Sequence, residues 1–324
     1  ALAFIALVFI IYYGTTTDFV LGGVLDAEKI SGMEELLKFV FLLAFVGFGT
    51  KAAVFPMYAW LPAASVAPTP VTALLHAVAV VNAGAYAVLR VIYYSFGASF
   101  LYGTWAQTVA LLLSCFTILF GSTMAVREQH FKRRLAYSTI SNLSYMLMGA
   151  ALMTPDGMTG SLSHLVIHGV IKITLFYCAG AILIKTGKEY VQDLRGYSRI
   201  MPATCGIFLL GSIALVGTPP LAGFVSKWNL LTAASATELP MGTVAIVCLI
   251  ISAILTAIYL FTAALPMYFR PLNADQAQLA GQKLDPSWMM LLPMGILCAL
   301  MIGLGLWSQP LVTFLRNISA GVIF

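Results

Sequence analysis

Long apolar segments dominate this chain and restrict it to the folds that a membrane allows. A helix needs about 20 residues to cross the hydrocarbon core, where every backbone polar group must be paired within the protein. Such segments cover residues 36–55, 70–95, 104–126, 134–153, 158–184, 239–269 and 288–308. With 60% hydrophobic and 9% charged residues among 324, the composition is typical of a protein that crosses the membrane repeatedly.

Two further apolar stretches are irregular. Residues 203–236 resemble one span interrupted at Gly217-Thr218-Pro219-Pro220, and residues 1–13 are too short to cross alone. Counting both, the sequence predicts an all-α, polytopic transmembrane helix bundle with broken helices and about nine spans. The chain begins at Ala1, already inside an apolar run, and we interpret it as the C-terminal part of a longer protein.

Charges between the spans predict the orientation of the bundle. The loops 56–69, 127–134, 185–202 and 270–287 carry Arg127, Lys132, Arg133, Arg134, Lys185, Lys188, Arg195, Arg199, Arg270 and Lys283. The loops on the other side carry one basic residue, Lys29, together with Asp18, Asp26, Glu28, Glu34, Glu35, Asp156 and Glu238. The positive-inside rule therefore places the first set in the cytoplasm, with residue 1 on the cytoplasmic side and the C-terminus outside.

Three lysines stand alone within the apolar segments. Lys51 is the only charged residue between positions 39 and 89, Lys172 between 157 and 184, and Lys227 between 200 and 237. A charge at the bilayer centre costs about 3 kcal/mol on insertion scales, so such residues usually face the protein interior or water and mark a path for ions or protons.

Prolines lie close to two of these lysines. Pro56 and Pro62 follow Lys51, and Pro219 and Pro220 precede Lys227. Proline removes a backbone donor and frees carbonyls, which is tolerated in a membrane where the broken helix lines a cavity, as at the ion sites of transporters. The alternative is that Pro56 and Pro62 simply end a span.

His164, His168 and Lys172 recur every four residues and share one face of a helix, over roughly 12 Å. Neighbouring members of this stripe could pass a proton directly or through one water, since the two nitrogens of imidazole donate and accept in turn. Burial disfavours the charged form of a lysine, so a nearby charge could load or unload it. The alternative is a set of hydrogen bonds between packed helices.

Other polar residues allow either interpretation. His76 could join a relay or make a structural hydrogen bond, and the polar helix 134–153 could form a wetted wall or knit helices together. We interpret Lys132-Arg133-Arg134 mainly as a cytoplasmic anchor. The possible lining residues of that wall are Tyr137, Ser138, Ser141 and Asn142.

Several motifs resemble the antiporter-like subunits of respiratory complex I, of membrane-bound hydrogenases and of Mrp-type cation/proton antiporters. They occur in order: Gly49-Thr50-Lys51, Pro56 to Pro62, Ala67-Pro68-Thr69-Pro70 through His76-Ala77, Lys132-Arg133, Leu135-Ala136-Tyr137-Ser138-Thr139, His164 through Lys172, and Thr218-Pro219-Pro220 through Ser226-Lys227.

The resemblance implies a fold of about fourteen helices with two inverted five-helix repeats, each containing a broken helix. It implies that Lys51 belongs to a first half-channel, Lys172 with His164 and His168 to a central connection, and Lys227 to the second half-channel and exit. His76 matches a histidine on the central polar axis. The resemblance thus implies that residues 1–324 form a single transmembrane domain. Residues 1–153 would form the remainder of the first half-channel and connecting helices, and residues 154–324 the second half-channel.

Two features depart from the family pattern. Relatives pair the first lysine with a glutamate on an earlier helix, and no upstream residue here is a suitable candidate; we expect that glutamate in a preceding part of the protein. Glu34 and Glu35 lie at the outer mouth of the Lys51 span. The long C-terminal arm of one class of relatives is also absent, which favours the shorter subunit types.

The leading hypothesis is a proton-translocating subunit of a redox complex in a prokaryotic cell membrane, with other membrane subunits as partners. We expect it to bind no cofactor, metal or nucleic acid and to have no catalytic residues. The five cysteines are scattered singly, unlike a metal site or disulfide framework. Alternatives are a subunit of an Mrp-type Na⁺/H⁺ antiporter and, less favoured, a stand-alone transporter of an organic solute.

Overall fold

The computed structural model describes residues 1–65, 67–237, 239–273 and 281–321. Within these ranges the regular structure is helical, apart from two isolated β-bridges that join Gly14 to Leu25 and His130 to Tyr190. The predicted all-α membrane bundle is therefore confirmed. Glu238, one of the acidic residues assigned to the outer side, and part of the loop 270–287 lie outside the described residues.

The helices of the first part of the chain are α1 (Leu2–Tyr13), α2 (Ala27–Ile30), α3 (Glu34–Gly49), α4 (Trp60–Ala64), α5 (Thr69–Ala77), α6 (Val80–Arg90), which continues as a π-helical segment (Val91–Phe96), α7 (Ala98–Leu101), α8 (Trp105–Arg127) and α9 (Phe131–Ala151). The second part contains α10 (Pro155–Thr186), two 3₁₀ turns (Val191–Leu194 and Tyr197–Arg199), α11 (Pro202–Val216), α12 (Ala222–Ala236), α13 (Met241–Phe269), α14 (Trp288–Leu306) and α15 (Gln309–Ser319).

Five helical stretches among the described residues are long and apolar enough to cross a membrane, namely Thr69–Phe96, Trp105–Arg127, Pro155–Thr186, Met241–Phe269 and Trp288–Leu306. The predicted spans 36–55 and 134–153 are also helical, as α3 and α9, but α3 is short and α9 is polar. The predicted interruption of 203–236 is confirmed as the gap between α11 and α12.

Three boundaries differ from the prediction. α3 ends at Gly49, so Lys51 lies in the turn after the helix rather than within a span reaching residue 55. The predicted span 70–95 is interrupted after Ala77, where the Asn82 side-chain amide donates to the freed Ala77 carbonyl at 2.8 Å. A separate helix, α15, follows α14 and has proline in its first turn, the position at which a missing amide hydrogen costs a helix nothing.

α10 is the central helix of the described bundle. It packs against α5, α9, α11, α12, α14 and α15, and 72% of its most apolar stretch is buried, against 11% for α14. Two apolar clusters surround it. On α9 and α13 the buried polar residues fall between members of the two clusters, as Ser138 to Asn142 do between Leu135 and Leu143. The fold therefore holds a polar layer where two apolar regions meet.

Candidate functional site

Lys172 lies at the centre of this polar layer and is fully buried. Its ammonium donates to the Leu135 carbonyl of α9 at 2.8 Å and forms a short hydrogen bond with the Ser138 hydroxyl. No acidic residue within the described ranges forms an ion pair with it. A buried ammonium held by a carbonyl and a hydroxyl is solvated by dipoles alone, which makes its charge sensitive to neighbouring charges.

His168 and His164 precede Lys172 by one and two turns of α10. Their imidazole centroids lie 5.8 Å apart in a stacked arrangement. His164 Nδ1 is 2.9 Å from the Ser226 hydroxyl of α12, whereas His164 Nε2 and both ring nitrogens of His168 are buried without a hydrogen-bond partner among the described residues. His168 interacts electrostatically with His76, His164, Lys172 and Lys227, which identifies it as the middle of the group.

His76 joins this group from the end of α5. Its ring stacks on the ring of Phe176 with centroids 4.8 Å apart, and the Lys172 ammonium lies 6.0 Å from the centroid of the same phenyl ring. Both ring nitrogens of His76 are buried and have no described partner. Buried polar atoms are normally satisfied, so these nitrogens have free capacity to bind water or a proton.

Lys227 lies on α12, beyond His164. Its ammonium donates to the carbonyls of Leu215 and Val216, 2.8 and 2.9 Å away, at the C-terminal end of α11. It also lies 5.4 Å from the ring centroid of Tyr145, and that ring is 5.4 Å from His164. The helix dipole and unpaired carbonyls at such an end favour a cation.

A glycine permits this geometry at the second helix break. A β-carbon added at Gly223 would lie 1.8 Å from the Ala214 carbonyl oxygen, so α12 begins in direct contact with the end of α11. Pro219 and Pro220 occupy the connection between the two helices. The close approach brings Lys227, one turn into α12, within reach of the α11 carbonyls.

Lys51 is separate from the group around His168. It is exposed, and no described residue accepts a hydrogen bond from its ammonium or forms an ion pair with it. The Thr50 carbonyl at the end of α3 is instead bonded by the Trp60 indole at 2.9 Å. Pro56 lies between α3 and α4, and Pro62 lies within α4. The structure thus brings together five of the six predicted pathway residues and leaves Lys51 apart.

On the polar face of α9, the side chains of Ser138, Ser141 and Asn142 are buried, whereas that of Tyr137 is only half-buried. The hydroxyls of Ser122, Ser141 and Ser252 lie 2.5–3.2 Å from one another and join α8, α9 and α13. Tyr145 donates to Ser252 at 2.7 Å, which connects this cluster to the ring beneath Lys227.

Sequence reasoning missed four residues of this site: Ser122, Tyr145, Ser226 and Ser252. One signal was available on α13, where Ser252, Thr256 and Tyr259 repeat at helical spacing along an apolar segment. The Tyr259 hydroxyl interacts with both Thr256 and Ser138, so this stripe faces the polar side of α9. A second polar connection therefore links the Lys172 region with Tyr145.

The basic cluster at the start of α9 differs from the predicted anchor. Lys132 and Arg134 are buried, at 5% and 3% exposure, and only Arg133 is exposed. Lys132 donates to the Ala67 carbonyl at 3.2 Å, and Arg134 donates to the Tyr259 carbonyl and the Thr262 hydroxyl at 3.0 Å each. Two of the three cations therefore fasten α9 to neighbouring segments.

Comparison with known proteins agrees with the fold. Residues 2–256 match the family described as "NADH:quinone oxidoreductase/Mrp antiporter, TM". The chain is 33% identical over 290 residues to NADH-quinone oxidoreductase subunit N of Desulforudis audaxviator, covering 86% of this chain and 56% of that protein. It is 36% identical over 224 residues to NADH-quinone oxidoreductase subunit L of Rickettsia bellii, covering 69% of this chain and 33% of that protein.

A chain in the structure of the Mrp complex from Dietzia sp. DQ12-45-1b has the same fold, with a TM-score of 0.83 at 23% identity over 98% of this chain and 65% of that chain. The chain belongs to the transmembrane family shared by NADH:quinone oxidoreductases and Mrp antiporters, and it is an integral membrane protein. It spans about half of the subunit N relative and about a third of the subunit L relative.

Proposed function

We propose that this chain carries protons as an antiporter-like subunit of a redox-driven membrane complex, such as a NADH/quinone oxidoreductase or a membrane-bound hydrogenase. The observation that carries the proposal is a buried group of three histidines and two lysines: His76, His164, His168, Lys172 and Lys227. Five of the six ring nitrogens have no described hydrogen-bond partner, and neither lysine has a described acidic partner. The relatives named as subunits of NADH-quinone oxidoreductase support the same reading.

In this mechanism protons move between Lys172 and Lys227 through His168 and His164. Imidazole accepts a proton at one nitrogen and releases it at the other, and the stacked rings lie one helical turn apart. Two unit charges about 8 Å apart interact by roughly 2 kcal/mol at an effective dielectric of 20, enough to change the charge of a poised lysine. Lys51 supplies the equivalent charge in the first half-channel.

Lys227 can change its charge without releasing the end of α11. A neutral amine keeps two N–H donors, and Lys227 bonds two carbonyls. The geometry of the helix break can therefore persist through a cycle of protonation. Deprotonation removes only the third N–H of the ammonium, which bonds neither carbonyl and can donate to a water or a proton acceptor. This distinguishes the lysine from a purely structural cap.

Under this proposal electron transfer takes place in partner subunits, and we expect this chain to bind no redox cofactor. No three His, Cys, Asp or Glu side chains within the described ranges converge in a way that could hold a metal ion. The orientation follows the charge asymmetry of the loops, with residue 1 on the cytoplasmic side and the location a prokaryotic cell membrane.

The proposal is tested with Lys172→Ala in the full-length protein, within its complex and in sealed vesicles. We expect substrate-driven acidification to fall to background, because the central charge is lost, while complex assembly stays near wild type. The matched control is Lys185→Ala, which removes an exposed lysine from the last turn of the same helix and leaves pumping intact. Wild-type pumping by Lys172→Ala would rule out the relay.

A subunit of a Na⁺/H⁺ antiporter is the second candidate, favoured by the family description, which names Mrp antiporters. The two functions differ in their driving force. Proton movement driven by an imposed Na⁺ gradient, without any redox substrate, would favour the antiporter; movement only with an electron donor and acceptor would favour the redox complex.

A further inference from the structure

Arg90 is a fourth isolated cation, and the relay does not use it. It is the only charged residue between positions 52 and 126, a longer apolar run than surrounds any of the three lysines. Arg90 is the last residue of α6, and the helical stretch continues to Phe96. The Arg90 α-carbon therefore lies about 9 Å before the end of the stretch at Phe96, at about 1.5 Å per residue. The loops at this end are the acidic set, so the positive-inside rule does not account for Arg90.

Aromatic rings hold the guanidinium of Arg90 in the described part of the chain. Its central carbon lies 3.5 Å above the ring centroid of Phe19 and 5.9 Å from that of Tyr86. Within the described part of the chain, no carbonyl or hydroxyl accepts a hydrogen bond from it, and no carboxylate pairs with it. A guanidinium has five N–H donors in a planar fork. Because no described residue accepts from them, these donors are available to bind an anion.

Arg90 also lines a cavity of about 670 Å³ between α6, α10, α15 and the loop before α2. This volume lies within the range of ligand pockets. No acidic side chain among the described residues lines the cavity. Apart from Arg90, the described walls are almost entirely apolar or aromatic, formed by side chains that include Phe19, Tyr86, Leu89, Met158, Leu315 and Ile318.

We propose that this cavity binds an anionic phospholipid of the bilayer, with its phosphate on Arg90 and its acyl chains along the apolar wall. Arginine matches phosphate with two parallel hydrogen bonds, and Arg90 is the one cation among the described residues that line the cavity. The apolar lining favours a lipid over free phosphate. A zwitterionic lipid carries its own cation beside the phosphate and therefore gains less from Arg90.

The lipid also has a structural consequence. Phe19 belongs to the loop before α2, and Leu315 and Ile318 belong to α15, so an occupant contacts two segments that are far apart in the sequence. Binding is thus expected to hold α15 and this loop against the bundle and to raise thermal stability. This inference stands independently of proton transport.

The test measures thermal unfolding of the purified full-length protein in detergent with added palmitoyl-oleoyl-phosphatidylglycerol, the matching phosphatidylcholine, or inorganic phosphate. We expect a larger upward shift with phosphatidylglycerol than with phosphatidylcholine and none with phosphate. Arg90→Gln should weaken phosphatidylglycerol binding about tenfold or more, measured by native mass spectrometry, because a charge-assisted bidentate pair is lost. Lys29→Gln, which removes an exposed cation assigned to the same side, should bind like wild type.

A second variant keeps the test decisive if Arg90→Gln does not fold. Ile318→Trp fills the cavity from α15 and leaves Arg90 in place, so it should lose the shift specific to phosphatidylglycerol. Equal shifts with both lipids in the wild type, a shift with phosphate alone, or full binding by Ile318→Trp would each overturn the proposal.

Discussion

Lys51 and Lys227 both accompany a broken helix, yet their surroundings are opposite. Lys227 is 8% exposed and bonds the last two carbonyls of α11. At the first break, the neutral indole of Trp60 bonds the Thr50 carbonyl at the end of α3, and the adjacent Lys51 is exposed. The free carbonyls at a helix end thus need a hydrogen-bond donor, which can be charged or neutral. Where the indole supplies that donor, the neighbouring lysine ammonium does not have to bond the helix end.

This difference separates two roles that look alike in the sequence. Under the proposed function, Lys227 combines proton binding with the support of a helix end, so stability and transport are linked there. Lys51 has no structural partner among the described residues and is available to a charge elsewhere in the protein. The pairing of Lys51 with a glutamate on an earlier helix, which the family resemblance implies, stays a prediction.

Replacing each lysine by methionine in the full-length protein should separate the two roles most clearly. Lys227→Met should abolish proton transport in sealed vesicles and lower stability by about 1–3 kcal/mol, because two buried carbonyls lose their donor. Lys51→Met should impair transport but leave the unfolding temperature almost unchanged. Equal losses of stability in both variants would show that Lys51 also supports a helix end.

A second comparison adds one methyl group at each break. Gly223→Ala should destabilise the protein by about 1–3 kcal/mol, since its β-carbon meets the Ala214 carbonyl oxygen at 1.8 Å. Gly84→Ala meets the Lys51 β-carbon at 2.6 Å and the Ala52 amide nitrogen at 2.7 Å, which is a less severe overlap than at Gly223, so it should cost less.

Gly295→Ala is the control for both glycine variants, as it lies in α14 with nothing within 4 Å of the added carbon. It should be neutral or slightly stabilising in thermal unfolding. A larger loss at Gly84 than at Gly223 would mean that the first break is the more tightly packed one.

We expect a smaller loss of stability when the Trp60 indole at the first break is changed. Trp60→Phe removes the donor to the Thr50 carbonyl and should lower stability by about 1 kcal/mol in denaturant unfolding. Trp288→Phe changes a tryptophan that is 67% exposed and should have no measurable effect. If the two variants unfold alike, the indole does not support the end of α3.

Much of the site could be predicted from the sequence because its signals are local. The four-residue spacing of His164, His168 and Lys172 places them on one helix face whatever surrounds it, and the structure keeps them together. The break before Lys227 followed from two adjacent prolines. The sequence leaves His76 open between a relay and a structural hydrogen bond, because only packing against Phe176 brings it to the central group.

The residues that were missed are those whose partners are distant in sequence. Ser252 and Ser122 are 130 residues apart and meet only because α8 and α13 pack together. Arg134 looked like a surface anchor in a basic run, yet its guanidinium reaches α13. Hydrogen bonds between helices depend on how the helices pack, and a local sequence pattern does not reveal which helices become neighbours.

Local sequence signals were sufficient for the membrane bundle, the isolated lysines, the histidine stripe and the helix breaks, because hydropathy, helical period and proline act over a few residues. Long-range packing sets which lysine is buried, which donor bonds each helix end and which aromatic rings contact Arg90. Lys51 and Lys227 carry the same charge beside similar breaks, and their difference arises from whether a neighbouring indole or the ammonium itself reaches the free carbonyls.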